Sequence, residues 1–433
     1  MSNSPLTAAA DLVIVGAGIM GSVAALRAAE AGAKVVVIEK EVGPAGEQSG
    51  RAQGALRALG KHGPAVPLTE ESLAVWRRIA NEADAEIVFK GSISVARQEA
   101  EMPSFVGLID AFAAYGLDRP RAMNEAETRE CVPALKGTLA GAVFREGDGH
   151  CNPRKATLYF ARQAEKAGAV FHFGVKALKV LERDGKVIGL ETNAGTIVTG
   201  KVVIAGGMWT PLLARTVGVK VPIMPLVLSG CETTPLPPLF EQSVRSYGFS
   251  GHQRPNGRVV MSAGVNATVR HEINLATFDW PSLWVPRLAK HWRKVRLRVD
   301  RRRIARQIEF RDRWSTEQIQ EETAPKAVDR PLMRGALAFA QDLIPDLKRA
   351  TVSRYWSGTL DMSPDALPII DTESCPSGMT IATGMSGHGF VLGPVIGSIL
   401  SELALEGRSS RPIKIFRLAR FTEERVPIPA NTI

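Results

Sequence analysis

The sequence predicts an α/β protein in which a parallel, doubly wound sheet forms one of two domains. Three observations predict this class. A short apolar run near the N-terminus ends in a glycine turn and continues as a helix, and two later apolar runs also end in glycine clusters. The length of 433 residues exceeds one ordinary core, and the 45% hydrophobic and 23% charged fractions are those of a globular protein.

A βαβ unit of the Rossmann type begins the chain. The apolar run at residues 11–15 (DLVIV) ends in the turn GAGIMG at 16–21, and a helix-forming stretch follows at 22–31. A second apolar run at 34–38 (KVVVI) completes the unit. A glycine turn alone also serves plain structure, so it is the ordered combination of strand, turn, helix and strand that predicts dinucleotide binding.

Each glycine of this turn has a mechanical role. Gly16 permits the tight turn, Gly18 lets backbone approach a pyrophosphate, and Gly21 lets the helix pack closely on the strand. The positive end of the helix then faces the phosphates. Glu39 ends the second strand, where its carboxylate can accept the hydroxyl protons of an adenosine ribose and would repel a 2′-phosphate. NADP is therefore disfavoured.

Three further segments distinguish FAD from NAD. A polar, glycine-rich loop at 46–57 is of the kind that wraps an extended ligand, and the apolar run at 201–205 ends in two glycines. The run at 379–383 leads through TGMSGHGF into an apolar helix at about 391–405. This second helix N-terminus at a glycine turn suits the pyrimidine edge of an isoalloxazine ring, where negative charge develops on reduction. NAD would not need such a site, so the sequence favours FAD.

These segments resemble the FAD-dependent D-amino acid oxidase superfamily, which includes sarcosine oxidase, glycine oxidase and D-amino acid dehydrogenase. Its motifs here are VGAGIMG with Glu39, SGRAQGALR, AGGMWTPLLA, SGTLDMSPDALPIID and TGMSGHGFVLGPVIGSIL, in family order over nearly the whole chain. The resemblance implies that FAD is bound by Gly16, Gly18, Ile19, Met20, Gly21, Glu39, Lys40, Ser49, Arg51, Gln53, Gly54, Val175, Gly206, Trp209, Gly358, Gly387, His388, Gly389 and Phe390.

The resemblance also implies the domain organisation. A discontinuous FAD-binding domain comprises residues 1–80, 152–219 and 352–433. A sheet-rich α+β substrate domain, made from 81–151 and 220–351, lies over the flavin. Sarcosine oxidases of the family bind flavin covalently through a cysteine where this sequence has Gly358, and follow GHGF with lysine where it has Val391. We therefore expect non-covalent FAD and a substrate other than simple sarcosine.

The implied reaction is oxidation of the C–N bond of a small amine or amino acid, D- or N-substituted, to an imine by hydride transfer to the flavin. The arginine that relatives use for the substrate carboxylate is missing before the SPD motif, so either another arginine such as Arg57 replaces it or the substrate is a cationic amine near Asp361. A buried structural acid is an equally good interpretation of Asp361. His388, Tyr247 and His271 complete the candidate catalytic set, although helix capping or packing explains each of these side chains equally well. A 2-hydroxy acid dehydrogenase and a flavin subunit of a multi-subunit amine dehydrogenase are the alternatives, and the electron acceptor stays open.

The net charge of +10 is concentrated in one segment. Residues 287–313 contain twelve Lys or Arg and three acids, so they supply +9 of it. This segment is either a solvated helical face or a helix that contacts a membrane surface or a redox partner, whereas nucleic acid is not expected. No metal-ligand spacing, secretory signal or spanning apolar stretch is evident, and the four cysteines are scattered. We expect a cytoplasmic protein, with peripheral attachment to the inner membrane face as a further option.

Overall fold

Two large sheets organise the chain. The computed structural model describes residues 5–61, 63–265, 267–309, 312–316, 319, 326–423 and 426–427. One sheet has six strands and the other has ten. A small two-stranded sheet pairs Ala55–Leu56 with Gly149–His150.

The six-stranded sheet is the predicted Rossmann-type sheet. Neighbouring strands are parallel except for the first pair, which is antiparallel. Its central strands are continuous apolar runs that are buried on both faces, as expected for a covered parallel sheet. A three-stranded antiparallel sheet covers one face, and helices cover the other. The strand order is Ile369–Asp371, Met379–Thr383, Val202–Ile204, Leu12–Val15, Val35–Glu39 and Val170–Phe173, and the covering sheet is Gly195–Val198, Lys186–Thr192 and Ala177–Arg183.

The covering helices pack very closely on one another. Ile19–Glu30 lies between Pro153–Lys166 and Gly389–Glu406, and the latter also packs on Val66–Arg78. A Cβ on Gly393 would lie only 2.4 Å from Cγ1 of Ile19, so glycine allows this close helix contact.

The helix Gly389–Glu406 is relevant to the expectation that the sequence contains no membrane-spanning stretch. Among the described residues it is the one helix with the length and hydropathy of a membrane span, although no such apolar stretch was expected from the sequence. It is 72% buried inside the protein. Its sequence is apolar all round because other elements surround it, which makes it a core helix.

The ten-stranded sheet forms the predicted sheet-rich part. It is mainly antiparallel, with two parallel pairs. Val352–Met362 pairs along its length with Met224–Thr233, so this strand belongs to the second sheet although its residues were assigned to the FAD-binding domain. The other strands are, in order, Val295–Val299, Val269–Ile273, Met224–Thr233, Val259–Ala263, Phe249–Gln253, Ser243–Arg245, Ser92–Ala96, Gly141–Arg145 and Arg121–Met123.

The basic segment is not one helix, contrary to the sequence expectation. It comprises the end of Pro281–Lys290, the edge strand Val295–Val299 and the helix Arg301–Glu309, while residues 310 and 311 lie outside the described part. The strand reads VRLRV, and this two-residue alternation fits a strand rather than a helix. The other short helices are Gln48–Arg51, Met102–Val106, Asp110–Ala113, Glu125–Cys131, Thr210–Arg215, Leu275–Asp279 and Arg420–Glu423, and a longer one is Arg330–Leu343.

Candidate active site

A cavity of about 450 Å³ is lined by residues of both large sheets. The predicted FAD contacts line it, with one exception. Gly21 is not among the lining residues, which agrees with its expected role in helix packing. The cavity extends from the glycine turn at 16–21 to the turn at 384–390 and on to the second sheet. Segments that are far apart in the sequence therefore surround one continuous space, and the individual FAD contacts stay predictions.

The first glycine turn has no room for side chains. Gly16 has a φ of +105°, and a Cβ there would lie 2.6 Å from the carbonyl oxygen of Ala205. A Cβ on Gly21 would lie 1.9 Å from the carbonyl oxygen of Gly16. Gly18 is the N-cap of the helix Ile19–Glu30 and has no side chain of its own to cap it. Ser49 Oγ takes the N–H of Ile19, and the remaining backbone N–H groups at this helix end can face an anion such as a pyrophosphate.

Glu39 stabilises this turn through hydrogen bonds to the backbone. One carboxylate oxygen accepts the N–H of Ala17 at 2.7 Å, and the other accepts the N–H of Glu41 at 2.9 Å. Burial raises the pKa of Glu39, while these two hydrogen bonds act in the opposite direction. The carboxylate also lines the cavity, where its remaining lone pairs can face a ribose.

The polar loop closes over the same turn. Ser49 Oγ accepts the N–H of Ile19 at 3.0 Å, which holds the loop on the helix end. Lys40 forms an ion pair with Glu47 at 2.9 Å, and its Nζ lies 5.7 Å from the ring centre of Trp209. Val175 donates its N–H to the carbonyl oxygen of Glu39 at 3.0 Å, so an adenine contact through its backbone would use its carbonyl oxygen.

A second helix N-terminus faces the cavity. His388 is the N-cap of Gly389–Glu406, but its side chain makes no capping hydrogen bond, and no acidic residue lies in the first turn. Gly387 has a φ of +80°, and Gly389 and Phe390 line the cavity beside His388. Neither a cap nor an acid neutralises this helix end, so it can stabilise negative charge on a bound group.

Asp361 is saturated by the protein. One oxygen accepts from Gln48 Nε2 at 2.9 Å. The other accepts from Thr383 Oγ1 and from the N–H groups of Gly384 and Met385, at 3.1, 2.7 and 3.3 Å. Burial raises the pKa of Asp361 despite these hydrogen bonds. The carboxylate therefore fixes the glycine turn before the second helix, which favours the structural interpretation of this residue over substrate binding.

Three basic side chains line the part of the cavity near the second sheet. Arg57 was predicted, whereas Lys61 and Arg245 were missed. Among the described residues, no carboxylate lies within ion-pair distance of any of them, and Arg57 Nε is buried without a hydrogen-bond partner. Burial lowers the pKa of Arg57, although the carboxylate of Asp148 raises it.

The two missed residues share this electrostatic environment. Burial, and then the positive charge of Arg57, lower the pKa of Lys61 well below its ordinary value and that of Arg245 to about 9. Both pKa shifts reflect cations that lack a matching anion. No sequence motif marks Lys61 or Arg245, because each joins the site only through the fold.

Two predicted residues lie outside the cavity, which corrects the sequence prediction. Tyr247 packs its ring on Phe105 at 5.5 Å and bonds through its hydroxyl to Ser104 at 2.7 Å. His271 is buried with Nδ1 3.1 Å from Met224 Sδ, and burial lowers its pKa to about 3. His271 is therefore a neutral core residue near neutral pH.

The arrangement fits FAD. Two helix N-termini without an acidic residue in the first turn lie along one cavity, together with the carboxylate of Glu39. The glycine turn before the first of them has no room for a Cβ. Such a site suits a ligand with an internal pyrophosphate, a ribose and a second region that becomes negatively charged. FAD has all three features.

Comparisons with known proteins support this assignment. The model of the FAD dependent oxidoreductase (DAO) family matches residues 11–403. The 4-methylaminobutanoate oxidase (formaldehyde-forming) of Paenarthrobacter nicotinovorans is 26% identical over 441 residues, covering 100% of this chain and 48% of that protein. The chain thus spans about half of that relative. The glycine oxidase of Geobacillus kaustophilus is 24% identical over 426 residues, covering 95% of this chain and 97% of that protein.

A solved structure gives the same result. The L-amino acid deaminase from Proteus vulgaris superposes with a TM-score of 0.87 and 25% identity, covering 97% of this chain and 99% of the other. The α/β fold with a second, sheet-rich part and the dependence on FAD are thereby confirmed. The chain belongs to the DAO family of FAD-dependent oxidoreductases, the D-amino acid oxidase superfamily that its motifs predicted.

Proposed function

We propose that this enzyme oxidises the C–N bond of a small amino acid to an imine, and that Arg57 and Arg245 bind the substrate carboxylate. The observation that carries the proposal is the pair of guanidinium groups without a carboxylate partner in the cavity that the FAD contacts also line. The names of the relatives, among them a glycine oxidase and an L-amino acid deaminase, supply the reaction class.

The charge of the site favours an amino acid over a cationic amine. A buried guanidinium without a counter-charge is costly, and a bound carboxylate would satisfy it with a charge-assisted, bidentate pair. Asp361, the acid expected to attract a cationic amine, already accepts four hydrogen bonds from the protein. The missing arginine before the SPD motif is thus replaced by arginines of other segments.

The protein's own part in the reaction is to position the substrate. Bound FAD would take the hydride from the carbon that carries the amine. Arg57 and Arg245 would hold the carboxylate, so that the carbon is fixed relative to the flavin, and the buried position of the site would favour the neutral amine that can release a hydride. The uncapped N-terminus of Gly389–Glu406 would stabilise negative charge on the reduced cofactor.

Anaerobic flavin absorbance tests the proposal. The purified holoenzyme is mixed with D-, L- and N-methyl amino acids, with amines lacking a carboxylate, and with 2-hydroxy acids. We expect amino acids to bleach the flavin and simple amines not to do so. Bleaching by hydroxy acids alone would overturn the C–N assignment.

A substitution tests the role of the guanidinium. Because a hydrogen bond to a charged group contributes about 1.5–3 kcal/mol, Arg57→Met should raise KM about 10- to 150-fold. Arg57→Lys should recover part of this loss, since charge is retained without the planar fork. Arg162→Met is the control, because Arg162 lies on the exposed face of Pro153–Lys166 and its loss should leave KM unchanged.

We also propose that the enzyme works in the cytoplasm with its basic surface against an anionic membrane. Trp292, Leu297 and Val299 are 67%, 53% and 59% exposed beside Arg296 and Arg298, a combination that suits an interfacial contact. Cosedimentation with vesicles tests this. Binding should require anionic lipid and should be lost when both arginines are changed to Glu, but not with Arg183→Glu, which lies in the separate three-stranded sheet. Binding only to a protein partner would contradict the membrane proposal.

A further inference from the structure

The cationic site contains more charge than one carboxylate requires. A carboxylate is satisfied by one or two guanidinium groups. Arg57 and Arg245 meet that need, yet Lys61 lines the same cavity. Burial, and then the positive charges of Arg57 and Arg245, lower the pKa of Lys61. Its amino group has no ion-pair or hydrogen-bond partner in the described part of the chain.

The acids nearby do not balance these charges. Asp148 accepts from Arg145 at 2.5 Å and from Ser92 Oγ at 2.6 Å, and it also binds the N–H groups of residues 58 and 59. Glu70 pairs with Arg145 at 2.6 Å. Glu70 thus offsets Arg145, and Asp148 is the carboxylate that acts on Arg57 and Lys61. Among the described residues, two of the three cations Arg57, Lys61 and Arg245 therefore remain without a counter-charge.

The backbone holds the cations in this arrangement. Asp148 fixes the loop between Arg57 and Lys61 through the N–H groups of Ala58 and Leu59. Gly60 has a φ of +87°, and a Cβ there would lie 2.8 Å from Nη1 of Arg245. A Cβ at this position would displace the guanidinium, so glycine lets Arg245 keep its place beside the loop that carries Lys61.

We propose that the substrate is an amino acid with two carboxylates, and that Lys61 binds the second one. This inference rests on the proposed function for the first carboxylate and the reacting C–N bond. With a neutral reacting amine, a dicarboxylic substrate carries two negative charges, which equals the excess in the site. A monocarboxylic substrate would leave one half-buried cation without a counter-charge. The ammonium group of lysine suits the second carboxylate because it is a compact charge that needs no fixed fork geometry.

Binding of two unreactive acids tests the inference without turnover. Glutarate and valerate have chains of equal length and differ by one carboxylate. Each is titrated into the holoenzyme, and the change in flavin absorbance gives Kd, which calorimetry checks. We expect glutarate to bind at least about tenfold more tightly than valerate at low salt.

Variants assign this preference to Lys61. Lys61→Met should weaken glutarate binding at least about tenfold and change valerate binding less than about twofold. Lys61→Arg should keep most of the preference. Lys136→Met is the matched control, because Lys136 is exposed and far along the chain from this loop, and it should change neither affinity.

The outcomes separate this inference from the proposed function. Equal or tighter binding of valerate in the unmutated enzyme would overturn the inference, and this comparison needs no variant to fold. An equal loss of both affinities in Lys61→Met would overturn the role of Lys61. If no amino acid bleaches the flavin while glutarate still binds selectively through Lys61, the proposed reaction fails and the two-carboxylate site stands.

Discussion

Three alanine substitutions separate the two reasons why the first glycine turn requires glycine. Gly32→Ala adds a Cβ at a φ of +86° where nothing lies within 4 Å. Gly21→Ala adds one inside the helix Ile19–Glu30, where the only obstacle is the Gly16 carbonyl oxygen at 1.9 Å. Gly16→Ala combines a φ of +105° with a backbone oxygen at 2.6 Å. Gly32→Ala thus tests the effect of backbone conformation alone, Gly21→Ala tests the effect of steric collision alone, and Gly16→Ala combines the two effects.

The expected magnitudes differ between the three variants. A left-handed conformation costs an L-residue about 1–2 kcal/mol, so Gly32→Ala should lose that much stability and keep its flavin affinity. In Gly21→Ala the Cβ and the oxygen must separate by roughly 1.5 Å to reach ordinary contact, which moves the helix end away from the turn. Overpacking of this kind costs about 1–3 kcal/mol, and because the displaced helix end is the proposed phosphate site, the Kd for FAD should rise about 10- to 100-fold. Gly16→Ala should lose both stability and flavin.

The assay compares flavin binding with stability. The flavin-to-protein absorbance ratio reports retention after purification, quenching of flavin fluorescence on reconstitution gives Kd, and urea unfolding of the apoprotein gives the free energy of unfolding. If Gly21→Ala bound FAD as tightly as the unmutated protein, the helix end would not be the phosphate site. If Gly32→Ala lost flavin as strongly as Gly16→Ala, general destabilisation would explain all three results.

Three other predictions follow from single side chains. Glu39→Gln replaces one acceptor oxygen by an NH₂ group and leaves a buried N–H without an acceptor, so the Kd for FAD, measured by fluorescence quenching, should rise about 5- to 150-fold; an unchanged Kd would contradict this. His271 has a folded pKa of about 3, below its unfolded value near 6.5, so the unfolded state alone gains a proton between pH 7 and 5 and the free energy of unfolding should fall by about 2 kcal/mol on this account. Urea unfolding at both pH values should show a smaller fall in His271→Leu, and an equal fall would refute this assignment. Glutarate affinity should decrease as pH rises through the lowered pKa of Lys61, because the neutral amine no longer attracts a carboxylate, and calorimetry should find no such dependence in Lys61→Met. The charged groups that act on Lys61 are Arg57, Asp148 and Arg245.

The nucleotide part could be predicted from the sequence because its signals are local. The predicted strands at 11–15, 34–38 and 379–383 agree with the observed strands to within about one residue, since apolar runs that end in glycine specify both the strand and its end. The helix expected from residue 22 begins at Ile19, because Gly18 already acts as the N-cap. Here the glycine turn and the first helical turn share residues.

The second sheet was harder to predict because its pairing is long-range. Val352–Met362 follows a helix and precedes the nucleotide strands in the sequence, yet it pairs with Met224–Thr233. No local pattern identifies that partner. The edge strand Val295–Val299 is different, because its two-residue alternation was visible in the sequence but was hidden by the density of arginine around it.

The cationic site shows why motifs specified the cofactor better than the substrate. Arg57 and Lys61 lie in the loop that follows Ala55–Leu56, whereas Arg245 ends a strand that pairs with Ser92–Ala96. Asp148 connects the two by accepting hydrogen bonds from that loop and from Ser92. FAD recognition uses backbone at glycine turns, which leaves a pattern in consecutive residues. Substrate recognition uses side chains from separate segments, which strand pairing in the second sheet brings together. The search for a relative's substrate should therefore begin with the net charge that remains in this cavity after its internal ion pairs are counted.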